Sequence, residues 1–167
     1  MLAARIANGR AASVPRLVRD AAFAERVGLR EEAGDLGLDA AHLKVVRDGM
    51  NAVVNSAGGT AKGAAIRIPG MEMAGKTGTS QVRRISLSER QSGVIKNEHL
   101  PWERRDHALF IGYAPVAAPR YSVAVVIEHG GNSKAAAPVG QDILLKIQQL
   151  DAARIVDAAG DGARHRG

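Results

Sequence analysis

The 167 residues carry 23 Lys and Arg against 17 Asp and Glu, a formal net charge of +6, with 46% hydrophobic and only 3% aromatic residues. That length suits one domain with its own core; the lack of cysteine removes disulfides and thiolate-bound metals, and no apolar run approaches the ~20 residues of a membrane span. The basic residues are scattered arginines, paired only at Arg83-Arg84 and Arg104-Arg105, with no aromatic stacking platform among them, so nucleic acid is not an expected partner.

Residues 1–8 read as the last turns of a helix, stopped by Asn8-Gly9. No N-cap precedes them, so the helix is expected to continue something upstream. Within the poorly periodic residues 11–40, 14–18 read as a short strand and the rest as loop. Asp39 can cap a helix to about Asn55, with Leu43, Val46, Met50 and Val53 or Val54 as its apolar stripe. Residues 56–60, rich in glycine, are expected to form a flexible loop. Residues 71–78 alternate like a strand, and 80–105 are polar and aperiodic, a long loop. Residues 107–113 and 120–128 predict two further strands, and the short connection 114–119 makes them an antiparallel hairpin. Gly130-Gly131-Asn132 breaks the chain before a helix over 137–153, with Ile143, Leu144, Ile147 and Leu150 as its stripe. With so few aromatics, the core is expected to consist of Ala, Val, Leu and Ile. The pattern predicts an α/β (α+β) domain over 1–153, an antiparallel sheet flanked by helices, followed by a disordered tail over 154–167.

Two chemistries compete for Lys76. Gly70 to Thr77 satisfies the phosphate-loop pattern G-x-x-x-x-G-K-[ST], and residues 123–128 imitate the strand that accompanies it. A phosphate loop, however, needs a strand before Gly70 and a helix starting at Lys76-Thr77. Ile68-Pro69-Gly70 reads as a turn instead, Glu72 would repel phosphate, and Gly78-Thr79 suits a strand edge better than a helix. Lys76-Thr77-Gly78-Thr79 on an edge strand has its own plain reading, since threonine favours strands and lysine guards an open edge. Glu128 and His129 are too few for a metal site, and no cofactor is expected. Asp106 and His107 sit where they can orient the long loop, and Trp102 can anchor it.

The Lys76-Thr77-Gly78-Thr79 strand and the loop after it, through Ser86, closely resemble the third signature of class B penicillin-binding proteins, best the elongation type called penicillin-binding protein 2. The order continues through 97–102, 105–110, Gly112-Tyr113-Ala114-Pro115 and 126–131. Upstream, residues 3–9, Asp48-Gly49-Met50 and Gly58-Gly59-Thr60-Ala61 also fit. The resemblance spans roughly 3–150. It implies the C-terminal part of a peptidoglycan D,D-transpeptidase domain, a periplasmic setting at the bacterial inner membrane, stem peptides and β-lactams as ligands, and elongation-complex membrane proteins as partners. It implies that Lys76 supplies positive potential and assists proton relay. Thr77 and Thr79 would bind a substrate carboxylate, the Thr79 N–H would serve the oxyanion, and Gly78 would let the strand approach the ligand. The same family carries Ser-x-x-Lys and Ser-x-Asn signatures. Neither occurs in residues 1–167, and no serine has lysine three residues on. The expectation is therefore a segment without its nucleophile, inactive alone, with an apolar sheet face and an open edge; a non-catalytic binding lobe is the alternative, and a nucleotide binder the third reading.

Overall fold

The structure, a computed structural model, describes residues 1–9, 35–132 and 134–164, with side chains of the last helix described through 155. The strand expected at 14–18 lies outside them. Helix α1 (Leu2–Asn8) ends at Gly9, whose φ of 73° places it in the left-handed region and whose N–H donates to Arg5 O. Helix α2 (Ala40–Asn55) starts where the Asp39 carboxylate accepts the Ala41 N–H at 2.7 Å. Arg47 on α2 donates to Ile6 O and Ala7 O, both at 2.8 Å, tying the open end of α1 to α2.

Three strands follow: β1 (Ala74–Ser80), β2 (His107–Ala114) and β3 (Tyr121–Ile127). They form an antiparallel sheet in the order β1-β2-β3, with Thr77 opposite Phe110 and Phe110 opposite Val125. The expected hairpin is there; the first strand sits a few residues later than the 71–78 expected. Between β1 and β2 the long loop holds helix α3 (Leu87–Ser92) and two 3-10 turns. Helix α4 (Ala136–Arg164) continues past the end expected at 153 and through most of the segment read as a disordered tail. The Asp-Ala-Ala-Arg composition there favours helix, with nothing to stop it before residue 160.

One sheet face packs Phe110, Ala108 and Val125 against Ala136, Ala137 and Leu144 of α4 and against Ala61, Ala64 and Ile66 of the chain before β1. The other packs Ala74 and Tyr113 against Ala7 of α1 and Met50 of α2. Beyond that second cluster the face opens: Val126 is 62% exposed, and Ala124 beside it is exposed too.

Most buried core residues are Ala, Val, Leu and Ile, as the composition implies, but the core is built around larger ones. Its largest fully buried side chains are Tyr113, Phe110 and Met73. The Phe110 ring is accommodated by three glycines, where an added Cβ would lie 2.3 Å (Gly75), 2.8 Å (Gly112) and 2.6 Å (Gly140) from its carbons. Of the stripe expected on α4, Leu144 alone faces the core. Ala137, Gly140, Leu144 and Gln148 face inward, whereas Ile143, Ile147 and Leu150 are exposed. Gly140 brings the helix onto the ring, and Gln148, 5% exposed, donates through Nε2 to Met71 O and Leu144 O. Apolar spacing alone favoured the bulkier residues.

Candidate active-site strand

β1 lies at the edge of the sheet, and its pleat sends Lys76 and Gly78 to one face, Thr77 and Thr79 to the other. Gly75 begins the second series. It serves packing, because only a residue without a side chain fits over Phe110 there. Lys76 is exposed, and its Nζ donates to Thr77 O at 2.8 Å, folded along its own strand. Thr77 is only 8% exposed, whereas Thr79 is open to solvent. At Gly78 an added Cβ would meet Leu109 Cβ at 3.3 Å, so the space there is limited by the neighbouring strand. The four residues thus place an ammonium on one face and two hydroxyls on the other, along a strand that is the sheet's edge among the described residues. They are strand residues, not the first turn of a helix that a phosphate loop requires.

The strand is held by what precedes it. Asn55, the last residue of α2, donates through Nδ2 to Met73 O at 2.9 Å. Residues 56–60, expected to be flexible, form a knitted turn with Ala61 and Lys62. Gly59 N donates to Ser56 O, Ala61 N to Val53 O and Lys62 N to Gly59 O. At Gly59 a Cβ would come within 2.3 Å of Val53 O, so the turn is pressed against the end of α2. It brings Thr60 Oγ1 to 2.9 Å from Thr77 Oγ1. Beside Thr60 opens a cavity of about 410 Å³ lined by residues 59–64, Lys134, Ala137 and Pro138. Gly58-Gly59-Thr60 reads in sequence as part of a flexible loop and of the family resemblance; two adjacent glycines before a threonine are the local signal of a tight turn.

The loop from β1 to β2 is fastened at both ends. Asp106 Oδ2 accepts Asn97 Nδ2 at 2.9 Å, its N–H donates to Asn97 Oδ1 at 2.7 Å, and its Oδ1 accepts Val82 N at 3.3 Å. Asp106 O in turn accepts the Gly131 N–H. His129, at φ 54°, donates its backbone N–H to His107 Nδ1 at 2.9 Å, which requires that nitrogen to be unprotonated. Asp106 therefore does orient the loop, whereas His107 fixes the His129 turn after β3. Trp102 is a partial anchor: its ring lies 4.5 Å from His129, yet the residue is 56% exposed. Inside the loop, Arg83 makes a two-pronged bond to Glu89, whose Oε1 also accepts Ile95 N. The Arg83 hydrogen bonds, then the Ile95 N–H, hold the Glu89 carboxyl down to about 2.

Residues 2–145 match the family described as "Penicillin binding protein transpeptidase domain". The sequence is 36% identical over 98 residues to the peptidoglycan D,D-transpeptidase MrdA of Acinetobacter baumannii, covering 59% of this chain and 13% of that protein. It is 33% identical over 111 residues to MrdA of Escherichia coli K12, covering 66% of this chain and 17% of that one. The chain thus spans less than a fifth of these relatives' length. Among solved structures, the penicillin-binding protein PBP2 of Helicobacter pylori, determined in complex with MreC, superposes with a TM-score of 0.67 at 22% identity, over 89% of this chain and 23% of that one. PBP2 of Pseudomonas aeruginosa, in complex with WCK 5153, gives 0.51 at 28% identity, over 84% and 26%.

Proposed function

The chain belongs to the penicillin-binding protein transpeptidase family, and on that premise we propose that it is the carboxylate-binding part of an elongation-type peptidoglycan D,D-transpeptidase site. In the reaction of such an enzyme, a serine oxygen attacks the carbonyl of the penultimate D-Ala of a stem peptide. The C–N bond breaks, and terminal D-Ala leaves with a proton on its amine. An amine of a second stem then displaces the serine, forming the cross-link. The observation that carries the reading is the array on β1, the sheet's edge strand among the described residues, with Lys76 on one face, Thr77 and Thr79 on the other, and the Thr77 hydroxyl held by Thr60.

Within that reaction these residues bind and orient. The Thr77 and Thr79 hydroxyls donate to the terminal carboxylate of the stem peptide, or to that of a β-lactam. The Lys76 ammonium, once it leaves Thr77 O, adds charge-assisted attraction and a proton-relay partner for a serine outside residues 1–167. The Thr79 N–H is the oxyanion donor contributed by this segment. The setting is the periplasmic face of the inner membrane, with other elongation-complex membrane proteins as partners. The absence of Ser-x-x-Lys and Ser-x-Asn from residues 1–167 favours a second reading, a binding lobe without chemistry of its own.

Benzylpenicillin tests the proposal on residues 1–167. Intact mass should show no acyl adduct, while amide resonances of residues 76–80 should shift reversibly with the ligand. A stoichiometric adduct would mean that this segment holds a nucleophile after all. Unmoved resonances at saturating ligand would remove the carboxylate site.

A further inference from the structure

We propose that Thr60 is a positioning residue that sets the direction of the Thr77 hydroxyl proton, and so whether β1 can donate to a carboxylate. The inference rests on the reading of β1 as a carboxylate site. Its basis is the 2.9 Å contact between Thr60 Oγ1 and Thr77 Oγ1 across 17 residues of sequence. Each hydroxyl has one proton, so only one of the two can donate to the other. If Thr77 donates, its proton points to Thr60 and its lone pairs meet an arriving carboxylate, which is repulsive. If Thr60 donates, the Thr77 proton is free for the ligand and is made a stronger donor by the bond it accepts.

Their surroundings favour the second arrangement once an anion is present. Thr77 is almost buried and has little water to satisfy it, whereas Thr60 is exposed and its own lone pairs can take protons from solvent. Thr60 is also not free to wander. Its turn is pinned by the bonds of Gly59, Ala61 and Lys62 and by the contact of Gly59 with the end of α2. The same helix end holds β1 through Asn55 and Met73. Both hydroxyls therefore ride on one frame, and their relative position is set before any ligand arrives.

The test uses ¹⁵N-labelled residues 1–167 titrated with N-acetyl-D-alanyl-D-alanine, with its C-terminal amide as the uncharged comparison. In the unaltered chain the acid should shift the amides of residues 76–80 saturably and the amide form should not. Thr60→Val, which keeps the shape and loses the hydroxyl, should weaken binding of the acid about five- to tenfold. Thr60→Ser should bind within about twofold of the unaltered chain. In a Thr77→Val background, Thr60→Val should have no further effect. Unchanged affinity in Thr60→Val with the native amide pattern elsewhere would reduce the contact to a structural bond and overturn the inference while leaving the carboxylate site standing. So would a lost affinity in Thr60→Ser, or an independent effect of Thr60→Val when Thr77 is already valine. If the acid moves nothing in the unaltered chain, the carboxylate site itself fails, and the inference with it.

Discussion

Gly75→Ala is the substitution whose cost can be worked most directly from the structure. The added methyl would lie 2.3 Å from Phe110 Cζ, 2.6 Å from Cε2 and 2.7 Å from Ile111 O. Carbon contacts relax only near ~3.5 Å, so the ring or the strand must move by more than about 1 Å. The ring has no free side to retreat to, because Gly112 and Gly140 already close on it and Ile111 O is backbone. Overpacking of this kind costs about 1–3 kcal/mol. Replacing glycine also lowers the entropy of the unfolded chain, which returns about 0.4–1 kcal/mol. The net loss centres on about 1.3 kcal/mol, within a range of about 0–2.6, which for a domain of this size lowers Tm by about 3–5 °C. Urea and thermal unfolding followed by circular dichroism read it. Gly63→Ala, where nothing lies within 4 Å, is the control and should be neutral. Phe110→Leu should cost less beside Gly75→Ala than in the unaltered chain, because the smaller side chain makes room for the methyl. Stability of Gly75→Ala at or above the unaltered value would refute the account of the ring between three glycines.

Three further outcomes are expected. Glu89 titrates at about 2 against an ordinary 4.5, so its bond to Arg83 is fully present above about 4.5 and is lost as pH falls through about 2; exchange of the Ile95 amide should accelerate across that window in the unaltered chain, and an exchange rate flat with pH after correction for intrinsic chemistry would count against the clamp. Tyr121 donates to the Asp151 carboxylate, which Arg120 also pairs at 2.8 Å, and that hydrogen bond raises the phenol above its usual value; ultraviolet titration should find Tyr121 easier to ionise in Asp151→Asn, and no change would dismiss the bond. Residues 1–167 alone should be marginal and prone to associate through the open sheet face, and Val126→Lys should reduce association without loss of stability; a monodisperse unaltered chain with a sharp thermal transition would oppose this.

Local rules carried the sequence reading wherever a segment decides its own conformation. The Asp39 cap, the Asn8-Gly9 stop and the hairpin through residues 114–119 all depend on neighbours within a few positions, and all three are found. The sheet edge bearing Lys76 to Thr79 was legible because the motif and the alternation agree. What escaped depends on partners distant in sequence. The inward phase of α4 is set by Phe110, which lies 30 residues before Gly140, and no periodicity within the helix reports it. Thr60 looked like part of a loose glycine loop, because the carbonyl that anchors the loop to the helix, Val53 O, belongs to the preceding element and its hydroxyl partner to the following strand. Gly59, read as freedom in a flexible loop, and Gly75, within the strand, are places where a backbone or a ring comes too close for anything larger.

The knot at Asp106 also bears on how this protein can change. Val82, just after β1, and Asn97, ten residues before β2 begins, are both tied to the same carboxylate, so the segment between them departs and returns at one point. A closed excursion of that kind transmits little of its own length to the strands, and doubling it adds only about 0.6 kcal/mol of closure entropy. The stretch from 83 to 96 is therefore a handle on which insertions, exchanges of sequence or a reporter can be placed, provided Asp106 and Asn97 stay. The sheet and its lysine edge would remain in place while the handle explores other lengths and contacts, a division of labour that lets one surface diversify beside another that does not.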